Sequence, residues 1–225
     1  MGSDVPSTPL RIAHRGMPRA APENTLPSFQ LALDAGADGI ELDVHATADG
    51  VVVVHHDAEL LDGAVIASLT LDELRRHETA DGAVIPTLDE VCDMVAGHAT
   101  LFVEIKGPDI EQQVLEALGE YGGDVAIHSF DHPMIQRISQ LDPSRRLGIL
   151  FELTPPQVAQ TMARTGALDV WPHWSLVTPQ LVSDVHGAGG RVIPWTVNNQ
   201  QHALALAALD VDALCGDDVR LLMTD

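Results

Sequence analysis

Three carboxylates in this sequence stand inside short apolar segments, where acidic side chains are unusual. Glu41 and Asp43 alternate with apolar residues in Ile40–Val44, and Glu104 lies within Leu101–Lys106. Side chains two positions apart on a strand share one face, so these acids can converge. Their mutual repulsion would then force protonation or require a cation. The ordinary alternative is solvated strand-end acids, but the apolar neighbours argue against it because unpaired buried charge is costly.

The ligand chemistry of these three acids predicts which cation would bind. Oxygen ligands favour hard divalent ions over zinc. We therefore predict Mg²⁺ or Ca²⁺, with Mn²⁺ as a further candidate, bound by Glu41, Asp43 and Glu104.

Two basic residues accompany the acids. Arg15 follows His14, and Lys106, the only lysine in the sequence, lies two residues after Glu104. An arginine presents a planar fork to two phosphate oxygens, whereas a lysine acts as a point charge. A cation, an arginine and a lysine around one cavity predict a phosphate site. Lys106 can also neutralise the acids through a salt bridge, and both roles can hold together.

Two of the eleven histidines, His14 and His56, each close an apolar strand. Imidazoles titrate near neutrality and can transfer protons, so we predict that this pair supplies the general acid and the general base. The sequence leaves open which histidine is which. Glu23 and Asn24 precede a predicted helix, and they are interpreted either as capping residues or as part of the site.

The segments that carry these residues alternate with helix-period segments along the chain, which is typical of βα units and a parallel sheet. Eight such units at 225 residues predict a closed TIM (β/α)₈ barrel with its active site at the carboxyl ends of the strands. Eight strands are predicted, at Leu10–His14, Gly39–Val44, Leu101–Lys106, Val125–His128, Leu147–Phe151, Asp169–Trp171, Arg191–Trp195 and Asp212–Cys215.

One stretch departs from this repeat. Val51–Val54, after the Asp49-Gly50 turn signal, predicts a hairpin strand, and Leu71–His77 predicts a short helix between the second and third barrel strands. Residues 1–225 are predicted to form a single domain. Trp195, at the end of the seventh barrel strand, is predicted either to pack near the barrel mouth or to wall the substrate site.

Composition restricts the partners. The excess of 33 acidic over 12 basic residues gives a formal charge of −21, which repels nucleic acid and anionic membranes. Apolar runs of about 18 residues and signal-peptide features are absent, so we expect a cytoplasmic protein without stable membrane insertion. The predicted partner is a small molecule, and the oligomeric state is not indicated.

The ordered set of motifs resembles the glycerophosphodiester phosphodiesterase family over nearly the whole chain. The matching segments are His14-Arg15-Gly16, Pro22-Glu23-Asn24-Thr25, Ile40-Glu41-Leu42-Asp43-Val44, His56-Asp57, Ile85-Pro86-Thr87-Leu88, Glu104-Ile105-Lys106, Ser129-Phe130 and Trp195-Thr196-Val197-Asn198. The resemblance implies a TIM barrel that uses a divalent cation to hydrolyse glycerophosphodiesters to glycerol 3-phosphate and an alcohol. Seven residues match functional positions of that family: the acid/base pair His14 and His56, the metal ligands Glu41, Asp43 and Glu104, and the phosphate contacts Arg15 and Lys106.

Two departures from the family pattern affect the expected substrate. The common Arg-Thr-Thr segment is absent from Glu59–Leu69, and Cys215-Gly216-Asp217 replaces the usual Ile-Thr-Asp. Both lie in loops that would shape the leaving-group pocket, so the head group or acyl specificity stays open. The alternative functions are a lysophospholipase D-type phosphodiesterase, a Mg²⁺-dependent aldolase or isomerase barrel, and a non-catalytic barrel that binds phosphorylated ligands.

Overall fold

The structure is a computed structural model that describes residues 8–77, 82–153 and 157–224. The strands are β1 Leu10–His14, β2 Gly39–Ala46, β3 Val52–Val54, β4 Thr100–Ile105, β5 Val125–Ser129, β6 Arg146–Phe151, β7 Asp169–Pro172, β8 Arg191–Val192 and β9 Ala213–Gly216. Eight of them are parallel and follow the order β8-β7-β6-β5-β4-β2-β1-β9, and β3 pairs with β2. The amide of Asp212 donates to Val192 O and that of Cys215 to Pro194 O, which links the two ends of this order. This nearly closed parallel barrel confirms the predicted fold class.

Helices alternate with the strands as the pattern predicts. In the described residues they are α1 Leu26–Asp34, α2 Leu71–Leu74, α3 Leu88–Val95, α4 Glu111–Ala117, α5 His132–Leu141, α6 Val158–Thr165, α7 Pro179–Gly187 and α8 Gln200–Ala207. Threonines cap several of them: Thr25 accepts from the Ser28 amide, and Thr178 accepts from the Leu181 amide. Proline in the first turn of α1 and α7 fits the same starts, because its missing N–H would be unpaired there.

The predicted hairpin is present between the second and third barrel strands. β3 pairs antiparallel with the end of β2, with Val54 opposite Val44 and Val52 opposite Ala46. Beyond it, α2 ends at Leu74 rather than at the predicted His77. Buried side chains join this insertion into a small core of its own, formed by Val53, Leu60, Ile66, Leu74 and Ile85.

Alternation along the strands separates the core into two layers. Ile40, Leu42 and Val44 belong to the large cluster between barrel and helices. A second cluster is formed by Ile12, Phe102, Ala126, Leu150, Trp171, Ile193, Ala213 and Cys215. Several of its members stand two positions before a polar residue on the same strand, which places those polar side chains on the same face and towards the carboxyl ends of the strands.

Within the described ranges, no helix has both the length and the apolar character required to span a bilayer. The cytoplasmic location and the single-domain assignment stay predictions.

Candidate active site

A cavity of about 260 Å³ opens at the carboxyl ends of the barrel strands. It brings together seven of the eight predicted site residues: His14, Arg15, Glu41, His56, Glu104, Lys106 and Trp195. The eighth, Asp43, is only 1% exposed and does not line the cavity. Parallel register explains the gathering, because His14 lies opposite Glu41 and Asp43 lies opposite Glu104 on neighbouring strands.

Asp43 is engaged by three side chains. Its Oδ2 lies 3.0 Å from Arg15 Nε and accepts a 2.9 Å hydrogen bond from Asn24 Nδ2. Its Oδ1 lies 3.4 Å from Lys106 Nζ. Asn24 also accepts from the Asp43 amide at 3.3 Å. Asn24 is therefore a site residue that orients Asp43, while its neighbour Thr25 caps the helix.

Arg15 is held between acids on both sides. Besides Asp43, its guanidinium reaches Glu23 Oε1 at 2.9 Å, and its amide donates to Glu41 Oε2 at 3.1 Å. Burial acts to lower the pKa of Arg15, but the carboxylates of Asp43, Glu41 and Glu23 raise it overall. The guanidinium is therefore a fixed positive charge beside the cavity.

Glu104 and Glu41 differ in pKa although both are buried. Burial, together with the charge of Asp43, raises the pKa of Glu104 to about 7. Burial also acts to raise the pKa of Glu41, but the imidazoles of His128 and His14 lower it to about 2. Lys106 Nζ lies 2.7 Å from Glu104 Oε1 and partly compensates the acids. Added positive charge at this point would favour ionised Glu104.

Among the described residues, both ring nitrogens of the buried His128 make no hydrogen bond, and neither does the buried Asp43 Oδ1, which lies 3.4 Å from Lys106 Nζ. One ligand atom each from Glu41, Glu104 and His128 lies within 4.8 Å of the others. The unsatisfied atoms and the excess of carboxylates fit a divalent cation. The group differs from the predicted set, because His128 is present and Asp43 is turned towards Arg15 and Asn24.

His14 and His56 each carry a carboxylate at Nδ1. His14 Nδ1 lies 2.8 Å from Asp217 Oδ1, and His56 Nδ1 lies 2.8 Å from Asp57 Oδ1. Asn198 donates to Asp217 Oδ2 and accepts from the Asp217 amide at 3.0 Å, which fixes that carboxylate. Burial acts to lower the pKa of His14, but the hydrogen bond to Asp217 and the charge of Glu41 raise it overall.

Aromatic side chains form one wall of the cavity. Trp195 Nε1 donates to Trp171 O at 3.0 Å, and its ring meets Phe130 edge to face at 5.5 Å. Lys106 Nζ lies 5.6 Å from the Phe130 ring centroid. Trp195 therefore packs at the barrel mouth and lines the cavity, and its role as a wall of the substrate site stays a prediction.

Three residues of this site are not predicted from the sequence: His128, Asp217 and Asn198. His128 follows the inward-facing Ala126 by two positions, and the same alternation identifies Glu104 after Phe102. That signal was available for His128. Asp217 and Asn198 lie in loops, where the alternation of side chains along a strand does not apply and so cannot predict which way they point.

Several known proteins are similar to this chain in sequence. The glycerophosphoryl diester phosphodiesterase family matches residues 14–221. The glycerophosphodiester phosphodiesterase of Caldanaerobacter subterraneus subsp. tengcongensis is 32% identical, covering 95% of this chain and 96% of its own. The Bacillus altitudinis glycerophosphodiester phosphodiesterase is 30% identical, covering 92% of this chain and 93% of its own.

Solved structures extend the comparison to the backbone. An Oleispira antarctica phosphodiesterase, in complex with the product sn-glycerol-3-phosphate, superimposes with a TM-score of 0.88 at 28% identity, covering 96% of this chain and 95% of its own. The glycerophosphodiester phosphodiesterase of Agrobacterium tumefaciens str. C58 superimposes with a TM-score of 0.85 at 26% identity, covering 96% of this chain and 98% of its own. Sequence and fold agree over almost the full described length, and the chain belongs to the glycerophosphoryl diester phosphodiesterase family.

Proposed function

We propose that this chain hydrolyses glycerophosphodiesters to glycerol 3-phosphate and an alcohol, with the help of a divalent cation. The observation that carries the proposal is the placement of His14 and His56 on one cavity that also contains Arg15 and Lys106. The product bound to the Oleispira antarctica relative is the one that this reaction would release.

Glu41 and Glu104 at the cavity, with Asp43 opposite Glu104 on the neighbouring strand, would hold the cation. We assign Glu41, Asp43 and Glu104 to Mg²⁺, Ca²⁺ or Mn²⁺, as the oxygen ligands predict. When bound, the cation supplies positive charge that stabilises the phosphoryl oxygens. Arg15 orients the phosphate through its planar fork, and Lys106 adds a point charge on the opposite side of Asp43.

The histidines transfer the protons. Asp217 and Asp57 hold the Nδ1 atoms, so each Nε2 is the nitrogen available for acid or base work. One imidazole removes the proton of the nucleophile, and the other protonates the leaving alcohol oxygen. A cyclic phosphate detected in a single turnover would identify a neighbouring substrate hydroxyl as the nucleophile, whereas its absence would identify water.

A second candidate function is the hydrolysis of lysophospholipids. A cavity of about 180 Å³ adjoins His56, and apolar side chains of the insertion line it. Leu61 and Val84 are 77% and 68% exposed there, although large apolar side chains are usually covered. An acyl chain on the substrate glycerol would find apolar surface at this position.

The test is a substrate panel with purified protein. After EDTA treatment, the chain is assayed with Mg²⁺, Ca²⁺ or Mn²⁺ on glycerophosphocholine, lysophosphatidylcholine and a keto acid. Phosphorus NMR identifies the products of the two phosphodiesters, and proton NMR follows the keto acid, which contains no phosphorus. We expect glycerol 3-phosphate from glycerophosphocholine. His14→Gln and His56→Gln should each lower kcat by roughly 100-fold or more, whereas His98→Gln, at an exposed position, should not. Turnover of the keto acid alone, or of none of these compounds, would refute the proposal.

A further inference from the structure

His128 is a buried imidazole that the proposed proton transfers do not use. It is 1% exposed, and neither ring nitrogen has a hydrogen-bond partner among the residues that the structure describes. A neutral imidazole carries one donor and one acceptor. Leaving both unpaired in the interior is unfavourable, so these nitrogens point to a ligand that is not part of the protein.

The position of His128 shows which other side chains would contact that ligand. His128 lies opposite Glu104 in the register of β4 and β5, and its Nε2 lies 3.8 Å from Glu41 Oε1. Ligand atoms of these three residues lie within 4.8 Å of one another. Such a spacing allows three atoms to share one ion at ordinary ligand distances of about 2.0 to 2.4 Å.

Packing fixes the direction of the ring. The His128 imidazole stacks on Trp171 with 4.4 Å between centroids and 7° between planes. The Trp171 ring in turn meets Phe102 edge to face at 5.3 Å. The imidazole is therefore oriented by buried aromatic contacts rather than by hydrogen bonds, which leaves its nitrogens available to a ligand.

We infer that His128 donates a nitrogen to the divalent cation, together with oxygens of Glu41 and Glu104. The inference rests on the proposed function for the presence of the cation, and it concerns the identity of the ion. Imidazole suits transition dications better than Mg²⁺ or Ca²⁺, and affinity rises from Mn²⁺ to Co²⁺ along the usual order. The site therefore selects a transition dication, in contrast to the oxygen-only set expected from the sequence.

Pulsed electron paramagnetic resonance on the Mn²⁺-loaded protein tests the inference. Coordinated imidazole nitrogen should modulate the echo of the unaltered protein, and His128→Gln should abolish this modulation. His132→Gln is the matched control, because the His132 ring lies on α5 and is bound to Leu150 O. Calorimetry should show Mn²⁺ affinity falling by on the order of tenfold or more in His128→Gln, and Mg²⁺ affinity falling by only about threefold or less.

A modulation that persists in His128→Gln, or equal losses of Mn²⁺ and Mg²⁺ affinity, would overturn the inference. Thermal unfolding in EDTA checks that the variant folds. If it does not, His14→Gln and His56→Gln replace it: a signal retained in both supports His128, and a signal lost in either refutes it. Release of glycerol 3-phosphate without nitrogen modulation rejects this inference alone, whereas modulation without product release rejects the proposed function alone.

Discussion

At the scale of single residues, Asp217 sets the protonation of His14. Its hydrogen bond and charge oppose the burial that would otherwise lower the pKa of that imidazole. Asn198 donates a hydrogen bond to the other oxygen of the Asp217 carboxylate. The pair is therefore a means of keeping a buried histidine able to accept a proton.

Asp217→Asn should lower the pKa of His14. If His14 is the base, the enzyme loses activity as pH falls through the pKa of His14. If His14 is the acid, the enzyme loses activity as pH rises through that pKa. In both cases, the limb of the pH profile of kcat/KM that His14 controls should move to lower pH. Asp62→Asn is the control, because Asp62 pairs with His77 outside the cavity. An unmoved limb, or one displaced to higher pH, contradicts the assignment.

Glu104 gives a second residue-scale prediction, on stability without metal. Its native pKa of about 7 lies above the ordinary glutamate pKa of 4.5, so its ionisation destabilises the folded state increasingly as pH rises between these values. Glu104→Gln removes this loss. In EDTA, the variant should gain up to about 3 kcal/mol relative to the unaltered protein between about pH 5 and pH 8.5.

Urea unfolding at the two pH values measures this gain. Glu120→Gln, at an exposed position, should show no such change between them. A difference between Glu104→Gln and the unaltered protein that does not vary with pH would contradict the burial argument.

At the scale of elements, the end of β1 and the loop that leads to α1 place His14 and Arg15 at the cavity. Gly16 has φ +85°, and a Cβ there would lie 2.4 Å from Ser28 Oγ and 2.8 Å from Ser28 C. The Ser28 hydroxyl accepts from the Met17 amide at 2.7 Å and donates to Arg15 O at 3.2 Å. A side chain at Gly16 would displace the bonds that hold this loop.

Gly16→Ala should therefore lower the free energy of unfolding by roughly 2 to 4 kcal/mol, the sum of left-handed strain and overpacking. Gly50→Ala is the matched control. Gly50 has φ +82° with nothing within 4 Å of an added Cβ, so its loss should be about 1 kcal/mol. Urea unfolding compares the two, and kcat should fall in Gly16→Ala only. Equal losses would show that the contact with Ser28 is unimportant.

The strands and the hairpin could be predicted because their signals are local. Alternation in Ile40–Val44 fixes which side chains face the barrel interior, and the Asp49-Gly50 turn fixes the hairpin. Helix ends were less accurate: the sequence pattern predicts a helix over Ile110–Tyr121, but α4 stops at Ala117, and its C-cap Leu118 is followed by Gly119. Glycine is a poor helix former and so favours a helix end there, although the periodicity of apolar residues continues.

Parts of the site could not be predicted because their contacts join distant positions. Asp217 meets His14 across 203 residues, and this contact exists only once the barrel closes. Asn24 occupies a helix start, where capping is the common role, but its actual partner is Asp43 on β2. Local pattern cannot reveal such pairings, since the strand order and loop conformations determine them.

At the scale of the whole molecule, the formal charge of −21 opposes the arrival of anions. Arg15 and Lys106 act only within the cavity, whereas the surface field acts over the Debye length. The molecule therefore repels at a distance a substrate class that its site attracts at contact.

Added salt should relieve the repulsion. Between roughly 20 and 200 mM NaCl, kcat/KM for anionic glycerophosphoglycerol should rise about twofold or more relative to that for zwitterionic glycerophosphocholine. The paired substrates control for general salt effects on the enzyme. A ratio that falls with salt would mean that cavity charges govern the encounter as well.

Lys106 has one more consequence, because no other residue of the chain carries a side-chain primary amine. Reagents that acylate amines can modify this protein only at the active-site cavity and at the amino terminus. A mass spectrum after mild acetylation therefore reads the occupancy of the cavity directly, since a bound phosphate ester would shield one of just two reactive positions. Ligands could be ranked in this way without any turnover.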